Sequence, residues 1–500
     1  MKINFRNYLA AMLFLSAGAS CLYAQSYKIV HTGITDFYSN TDIITAPQPG
    51  SPFFGQDACY QANMPSYTDN HDGTITDNVT GLMWQKDMGA KITYAQAFVK
   101  ADTMTLGGYT DWRVPTIKEL YSLILFTGHV NGYTSYKLFI DTNYFNQPLG
   151  DTSIGERTID AQTWSATQYK GLTMSGDSTV FGVNFVDGRI KGYPKYQPGS
   201  RNTAPNSMYF RMVRGNTDYG KNNFVDNRDG TITDLATGLM WQKADDGIAR
   251  DWQNALAYAE TLDFAGYTDW RLPSAKELQS IVDYNRCPDF TNSPAIDSVF
   301  ATTMINYPDG SPGQYPYFWT ATSHLESSNP YSQGVYIAFG EAIGKMNGLI
   351  WDVHGAGAQR SDPKTGNPAD YPQYMGPQGD ERIVFNFARC VRYVVSPLSA
   401  EKGNTIPHEY KLEQNYPNPF NPSTVIRYSV PESNYISSNQ KVSLKIYDTL
   451  GREVADLVND YKAPGNYSVT FNAGGFASGI YFCRFTGANS TIVKKMILMK

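Results

Sequence analysis

Charged residues are scarce in this chain of 500 residues. Asp, Glu, Lys and Arg make up 17% of it, against about 25% in an average soluble protein. Aromatic residues reach 14% and include 36 tyrosines, so the surface must rely on uncharged polar and aromatic groups. This composition favours an extracellular binding protein over a cytosolic enzyme.

The sequence also has no excess of positive charge. Its formal net charge is -5, whereas a nucleic-acid-binding protein needs a positive field to attract phosphates. Nucleic acid is therefore excluded as a partner.

Long apolar runs are missing too. The apolar stretch Leu9–Ala19 follows the basic residues Lys2 and Arg6 and precedes a small residue, Ala24. It is too short to span a bilayer, and this order is typical of a signal peptide that ends near its cleavage site. We expect residues 1–24 to be removed on export.

Lipid attachment at Cys21 is an alternative. However, Gly18 stands three positions earlier, where a lipoprotein site has an aliphatic residue. No later stretch is long and apolar enough to form a membrane helix. The sequence thus predicts no transmembrane segment in the mature chain.

Two parts of the chain repeat each other. Residues 69–86 (DNHDGTITDNVTGLMWQK) and 226–243 (DNRDGTITDLATGLMWQK) differ only at positions 71, 78 and 79 of the first copy. A second pair of blocks follows, GYTDWRVPTIKEL at 108–120 and GYTDWRLPSAKEL at 266–278. The chain therefore contains a duplicated domain of about 150 residues, a usual size for an independent fold.

Local signals in each copy predict hairpins and helices. An Asp-Gly pair between polar and β-forming residues indicates a hairpin turn. Capping-box spacing and an N-terminal aspartate mark helix starts. The hairpins are predicted at Asp72–Gly73 and Asp229–Gly230, and the helix starts at Thr93, Thr116, Asp251 and Ser274. The rest of each copy has strand-like stretches separated by loops. Together with the helix starts, this predicts an α+β fold.

Eight tryptophans offer both core and binding candidates. Repeated tryptophans beside helix and strand signals favour the core; these are Trp84, Trp241, Trp112 and Trp270. Trp164 and Trp319 precede long loops, so they are either core residues or platforms on which a sugar ring stacks. Trp351 has no counterpart in the first copy and is a candidate exposed platform.

An arginine lies between a tryptophan and a proline in each copy. Arg113 and Arg271 can pair with the glutamates six residues later or with the aspartates two residues earlier. We favour a structural ion pair over a ligand contact.

The cysteines follow the repeats. Aligning the copies places His129 opposite Cys287 and Met212 opposite Cys390, so one copy has both cysteines and the other has neither. A pair that is present or absent together indicates a disulfide, which an oxidising compartment allows. We predict the disulfide Cys287–Cys390. Cys59 and Cys483 have no evident partner and are either free or buried.

The motifs TGLMWQK, GYTDWR(V/L)P(T/S)xKEL and a terminal R-x-V-R resemble those of the Lcl C-terminal domain family. The resemblance covers residues 53–215 and 222–394, after a lead-in at 25–52. It implies a C-type-lectin-like fold and, for some members, an adhesin role with binding to sulfated glycans. The family has no settled ligand, so the fold carries over better than the function.

The last section resembles another family. The run YKLEQNYPNPFNP at 410–422, followed by short alternating strand patterns, is similar to the C-terminal sorting domain of type IX secretion. This resemblance implies a small β-sandwich at 410–500, a linker at 395–409, and export to the cell surface or the medium by the type IX machinery, which is the implied partner.

One segment of the first copy is locally basic. Between positions 189 and 214 it has no Asp or Glu, whereas the matching part of the second copy is acidic at several positions. Cations interleaved with tyrosines suit a sulfated or acidic glycan; the candidates are Arg189, Lys191, Tyr193, Lys195, Tyr196 and Arg201. A solvated loop without a ligand is the alternative.

Catalytic and metal-binding motifs are lacking. The six histidines do not occupy matching positions in the two copies, and no nucleophile elbow, metal-ligand helix or phosphate loop occurs. His71 and Arg228 interrupt the Asp-rich turns where a calcium loop needs oxygen ligands. We predict no cofactor, although calcium held by distant loops stays open. The sequence thus predicts a secreted, adhesin-like glycan-binding protein; an envelope interaction module and an enzyme are the alternatives.

Overall fold

The computed structural model describes residues 25–132, 135–174, 176–197, 203–394, 410–415, 418–431, 440–462, 465–487 and 490–499. The predicted signal peptide and linker lie outside these residues, as does Arg201. The chain divides into two compact units, Met1–Val394 and Val395–Lys500. Both sequence copies therefore lie in one unit.

The N-terminal segment (residues 25–66) includes the first residues, 53–66, of the predicted first domain. Together with the rest of the first copy that the structure describes, it folds into short strands and two helices. In chain order these are β1 (Phe37–Tyr38), β2 (Ile43–Ile44), β3 (Tyr67–Asp69), β4 (Thr74–Asp77), β5 (Leu82–Gln85), β6 (Ile92–Thr93), α1 (Tyr94–Thr103), α2 (Ile117–Tyr121), β7 (His129–Asn131), β8 (Ser135–Lys137), β9 (Thr163–Gln168), β10 (Thr179–Asn184), β11 (Arg189–Pro194), β12 (Ser207–Met208) and β13 (Val213–Gly215).

The second copy has the same order with additional strands. Its elements are β14 (Phe224–Asp226), β15 (Thr231–Asp234), β16 (Leu239–Gln242), α3 (Trp252–Glu260), α4 (Ala275–Ser280), α5 (Pro288–Thr291), β17 (Ile305–Asn306), β18 (Pro312–Gln314), β19 (Tyr317–His324), β20 (Gln333–Ala338), β21 (Ile343–Met346), β22 (Leu349–Asp352), β23 (Gln359–Pro363), β24 (Tyr374–Met375), β25 (Asp380–Glu381) and β26 (Val391–Tyr393).

Strands dominate the secondary structure. They account for 39% of the residues that the structure describes and helices for 10%, so the fold is all-β and the predicted α+β class with lectin-like domains is wrong. The predicted helix starts are correct, because Thr93, Thr116 and Ser274 form capping boxes and Asp251 caps α3. However, α2 has only five residues and α4 six, and most of the loop-like sequence between the motifs pairs into strands.

Each copy builds the same four-stranded antiparallel sheet. The orders are β13-β5-β4-β3 and β26-β16-β15-β14, so the last strand of each copy returns beside its third. The predicted Asp-Gly turns join the first two strands: Asp72 Oδ1 accepts hydrogen bonds from the backbone N–H and the hydroxyl of Thr74, at 3.0 and 2.6 Å. Gly73 has φ +88°, a backbone conformation that favours glycine. This carboxylate therefore stabilises a turn of its own chain.

The two copies share a second sheet. Its six strands run β19-β20-β23-β11-β10-β9, and the copies meet where Ile190 of β11 pairs with Gln359 of β23. The helices cross-connect as well, because Lys118 Nζ donates to the carbonyl of Ser280 at 2.6 Å and Lys276 Nζ to that of Ser122 at 2.8 Å. The largest apolar core takes residues from both copies. The duplicated domains are thus fused into one unit.

The repeated tryptophans and arginines lie inside this unit. Trp84 and Trp241 are fully buried, and Trp112 and Trp270 are nearly so, which confirms the predicted core positions. The glutamates of both capping boxes also accept paired hydrogen bonds from arginine: Glu119 from Arg113 at 2.7 and 2.5 Å, and Glu277 from Arg271 at 2.7 and 2.6 Å. The predicted structural ion pair is confirmed in both copies.

The cysteines correct another prediction. Cys287 and Cys390 are both free and buried, so the structure does not form the predicted disulfide. Cys287 lies at the start of α5 in the core cluster shared by the copies, whereas Cys390 lies beside β26 in a separate cluster around Trp252 and Trp319. Each thiol fills apolar space in its own cluster. Cys59 is half-buried and Cys483 buried, both as free thiols.

The C-terminal unit is a separate sandwich of two antiparallel sheets. Its strands are β27 (Lys411–Leu412), β28 (Ser423–Val430), β29 (Gln440–Tyr447), β30 (Glu453–Lys462), β31 (Gly465–Asn472), β32 (Gly479–Gly487) and β33 (Ser490–Leu498). One sheet has the order β27-β28-β31 and the other β30-β29-β32-β33. Apolar residues of both sheets, among them Ile426, Leu444 and Phe485, form its core.

Candidate functional site

A cleft of about 500 Å³ lies where the two copies meet in the shared sheet. Side chains of β11 form one wall, and residues after β19 and on β23 to β25 form the other. We call it the junction cleft; the residues that define its chemistry are Arg189, Lys191, Tyr193, Glu326, Arg360 and Asp380. Three of these, on β11, are sequence-predicted site residues. Since successive odd positions of a strand point to one face, β11 presents all three toward the second copy.

Arg189 forms a bridge between the copies. Its guanidinium donates to the Glu326 carboxylate and, at 3.3 Å, to the hydroxyl of Ser361, and it lies 3.7 Å from a carboxylate oxygen of Asp187. These acids raise the pKa of Arg189 despite its burial, and Arg189 in turn holds the pKa of Glu326 well below its usual range. The charge of Arg189 is thus neutralised by the protein itself.

Lys191 is in a different situation. Its ammonium lies 5.4 Å from the centre of the Tyr193 ring, within cation–π range. It forms neither a hydrogen bond nor an ion pair with any residue that the structure describes. Burial, and then the neighbouring Arg360, lower the pKa of Lys191 to about 8. It is still mostly charged at neutral pH, so it is a cation in the cleft that can accept an external anionic or polar partner.

The charged groups on the opposite wall of the cleft are already paired with one another. Asp380 accepts from the Arg360 guanidinium and, at 2.8 Å, from His354 Nε2. Arg360 and His354 hold the pKa of Asp380 far below its usual range in spite of burial, whereas burial and Arg360 lower the pKa of His354 to about 4. His354 is therefore neutral at physiological pH and acts as a hydrogen-bond donor to Asp380.

The other sequence-predicted site residues do not join this cleft. Lys195 donates to the side chain of Gln168 at 3.0 Å, and Tyr196 is half-buried beside Pro205. Trp351 is half-buried on β22 and does not line the cleft. Arg201 lies outside the described residues.

Trp164 and Trp319 require a correction. Both are 0% exposed, so neither can stack on a sugar. Trp164 packs in a cluster with Phe210 of the first copy, and Trp319 donates from its indole nitrogen to the carbonyl of Arg250 at 2.8 Å in the second. They are core residues.

Two further arginines of the basic segment do not contribute to a cationic surface. Arg211 is fully buried and donates to the carbonyls of Gln85, Lys86 and Asn146 at 2.7 to 2.9 Å. Arg214 pairs with Asp111 at 2.7 Å. The carboxylates that neutralise the segment come from distant parts of the chain, so the local sequence gave no signal of them.

Sequence reasoning missed the second-copy residues of the cleft. Glu326, Arg360 and Asp380 lie outside the repeated motifs. Their role follows only from the pairing of β11 with β23, which no local pattern predicts.

No described helix has the length and apolar content needed to cross a membrane. Within the same residues, no group of three or more His, Cys, Asp or Glu side chains is placed to hold a metal ion.

Comparison with known families assigns both units. The Lcl C-terminal domain matches residues 73–214 and 230–354, which together cover more than half of the chain. The secretion system C-terminal sorting domain matches residues 414–499. No curated protein matches the chain.

The sorting domain is the part that the type IX machinery recognises, and it directs export to the cell surface or release from the cell. Both resemblances inferred from the motifs are confirmed. The chain is a secreted or surface protein that belongs to the Lcl C-terminal domain family and carries a type IX sorting domain at its C-terminus.

Proposed function

We propose that this protein is an adhesin-like binding protein that recognises a glycan through the junction cleft and catalyses no reaction. The observation that carries the proposal is Lys191: a half-buried ammonium beside the Tyr193 ring, in a cleft of about 500 Å³, without an ion-pair partner among the described residues. Clefts of this volume bind small ligands. An ammonium next to an aromatic ring suits a sugar that carries one anionic group.

The charges of the cleft favour a mildly acidic glycan over a dense polyanion. Arg189 is paired with Glu326, and Arg360 with Asp380. Lys191 and Arg382 are the two cations of the lining that have no ion-pair partner among the described residues. The paired groups retain donors and acceptors that can bind sugar hydroxyls. A chain with several sulfates would bring its other charges close to Glu326 and Asp380, at an electrostatic cost. A glycan with a single sulfate or carboxylate fits best.

A glycan array with neutral, carboxylated and sulfated sugars tests the proposal, using the intact protein. We expect binding to sugars with a single acidic group and at least about tenfold weaker binding by Lys191→Met, which corresponds to about 1.4 kcal/mol. Lys195→Met is the matched control: it removes a lysine of the same strand region that does not line the cleft, and we expect less than a twofold change.

Two outcomes would contradict the proposal. One is no binding to any glycan on the array, which would favour an envelope interaction role. The other is equal loss of affinity in Lys191→Met and Lys195→Met, which would mean that exposed charge, and not the cleft, attracts the ligand.

A further inference from the structure

A second cleft lies between the first copy and residues 281–285 of the second, and its first-copy wall has a filled counterpart in the second copy. It has a volume of about 770 Å³ and surrounds the start of α2; we call it the helix cleft. Four of its lining positions are Arg113, Val114, Thr116 and Glu119. The equivalent positions, Arg271, Leu272, Ser274 and Glu277, line a cavity of only about 20 Å³. The same wall is thus open in one copy and covered in the other.

The N-terminal segment covers the wall in the second copy. Asp57 is 3% exposed, and its Oδ2 accepts hydrogen bonds from the hydroxyls of Thr322 at 2.6 Å and Thr32 at 2.7 Å. Three residues later, the Tyr60 ring lies 5.1 Å from the Arg271 guanidinium. This short stretch therefore supplies a carboxylate for a threonine and an aromatic ring for an arginine.

The first copy has the same threonine and arginine. Thr167 corresponds to Thr322, and its hydroxyl accepts from the backbone N–H of Ile117 at 3.0 Å, just as Thr322 accepts from Ala275 at 2.9 Å. Among the described residues, however, the Thr167 hydroxyl donates to no acceptor. The Arg113 side chain is 30% exposed, against 5% for Arg271.

The chain that connects the first copy to the second does not cover the helix cleft in the way that the N-terminal segment covers the equivalent wall of the second copy. Residues 217–222 line an edge of the helix cleft, and Lys118 Nζ donates to the Gly220 carbonyl at 3.2 Å. This matches the bond of Lys276 to the His31 carbonyl at 3.1 Å in the other copy. The two connections thus start alike, but only the N-terminal segment continues over the threonine and the arginine.

We propose that the helix cleft is a docking site for a peptide segment of a partner protein, one that presents a carboxylate to Thr167 and an aromatic ring to Arg113. The binding of residues 57–60 to the second copy is the template for this ligand. Lys170 and Lys221 on the rim are offset by Asp283 and Asp297, so general attraction between charges is weak and the paired contacts supply the specificity. This site and its ligand are independent of the glycan proposal.

A synthetic peptide of residues 53–63 (FFGQDACYQAN), with serine in place of its cysteine, is the probe. Its binding to the intact protein is measured by fluorescence anisotropy. We expect saturable binding, and at least about tenfold weaker binding when the aspartate of the peptide is changed by Asp57→Asn, because the charge-assisted hydrogen bond is lost.

Variants of the protein locate the binding site. Thr167→Val removes the hydroxyl and should weaken peptide binding, whereas Thr167→Ser keeps the hydroxyl and should retain it; thermal melting checks that both variants fold. Lys191→Met should leave peptide binding unchanged, which separates this test from that of the glycan.

The proposal is overturned if the peptide does not bind, or if the Asp and Asn peptides bind equally. It is also overturned if Thr167→Val binds as well as the unmodified protein, since the peptide would then be displacing the N-terminal segment from the second copy.

Discussion

The carboxylate of Asp57 accepts a hydrogen bond of 2.6 Å from the hydroxyl of Thr322, although 265 residues separate them. The bond is buried, and Asp57 also accepts from Thr32 of its own segment. The beginning of the described chain is therefore fastened to the second copy as well as to the first copy, where the backbone N–H of Phe126 donates to the carbonyl of Thr32 at 2.9 Å.

Removing this carboxylate should loosen the N-terminal segment. Asp57→Ala leaves two buried hydroxyls without their acceptor, and we expect a loss of about 1 to 3 kcal/mol in the free energy of unfolding. Limited proteolysis should cut within residues 25–66 earlier than in the unmodified protein. Asp42→Ala, at an exposed position of the same segment, is the control and should change stability by less than about 0.5 kcal/mol. Equal behaviour of the two variants would contradict the anchoring role.

Arg211 should matter for stability and not for ligand binding. Arg211→Met removes the guanidinium donor from the carbonyls of Gln85, Lys86 and Asn146, of which that of Gln85 is buried, so we expect a loss of about 1 to 3 kcal/mol, measured by chemical denaturation. Arg389→Met should show a similar loss, because Arg389 donates to the equivalent carbonyls of Gln242 and Lys243. Glycan affinity of the folded protein should stay within twofold. A selective loss of glycan binding without destabilisation would instead place Arg211 in the binding surface.

Lys276 should make stability depend on pH. It is 3% exposed, and burial lowers its pKa to about 7, from 10.5 in a solvated lysine. Between these values this lysine binds one more proton in the unfolded than in the folded chain, so the contribution of Lys276 to the free energy of unfolding should rise with pH, with a slope approaching about 1.4 kcal/mol per pH unit. This contribution is absent below pH 7 and complete near pH 10.

Chemical denaturation at pH 7, 8 and 9 measures this effect. Lys276→Met has no titrating ammonium, so its stability should rise less over the same range. Parallel pH profiles of the two proteins would show that Lys276 keeps an ordinary pKa.

The free thiols predict that a reducing agent does not change the stability of the protein. Since Cys287 and Cys390 are free and buried, a reducing agent should leave the melting temperature unchanged. A thiol reagent should react first with Cys59, which is half-buried, and with Cys287, Cys390 and Cys483 only after denaturation. Two missing thiols in the denatured protein, or a melting temperature lowered by several degrees on reduction, would instead indicate a disulfide.

Features whose partners are close in sequence could be predicted. In the capping boxes and the Arg–Glu pairs, the interacting residues are three to six positions apart in sequence, so their geometry follows from local spacing. The tryptophan core positions followed from motifs that place them beside hairpin and helix signals. Local sequence patterns therefore predict the hairpin turns, the helix starts and the buried tryptophans of each copy.

Features that depend on distant pairing could not be predicted. The basic segment around Arg189 has no acid of its own in the sequence, but Glu326 arrives through strand pairing across the copies. The all-β class was missed for the same reason, because β23 pairs with β20 and β11, and β21 with β25, over separations that periodicity does not reveal. In the N-terminal segment, the role of Asp57 depends on a threonine of the second copy.

The pairing of Ile190 with Gln359 has a consequence for solubility. A strand at the edge of a sheet exposes unpaired N–H and C=O groups that can recruit a strand from another molecule. In a single copy, β11 or β23 would be such an edge, whereas in the duplicated protein each covers the other. Tandem duplication thus protects an exported protein from self-association at the very strands that border its candidate glycan cleft.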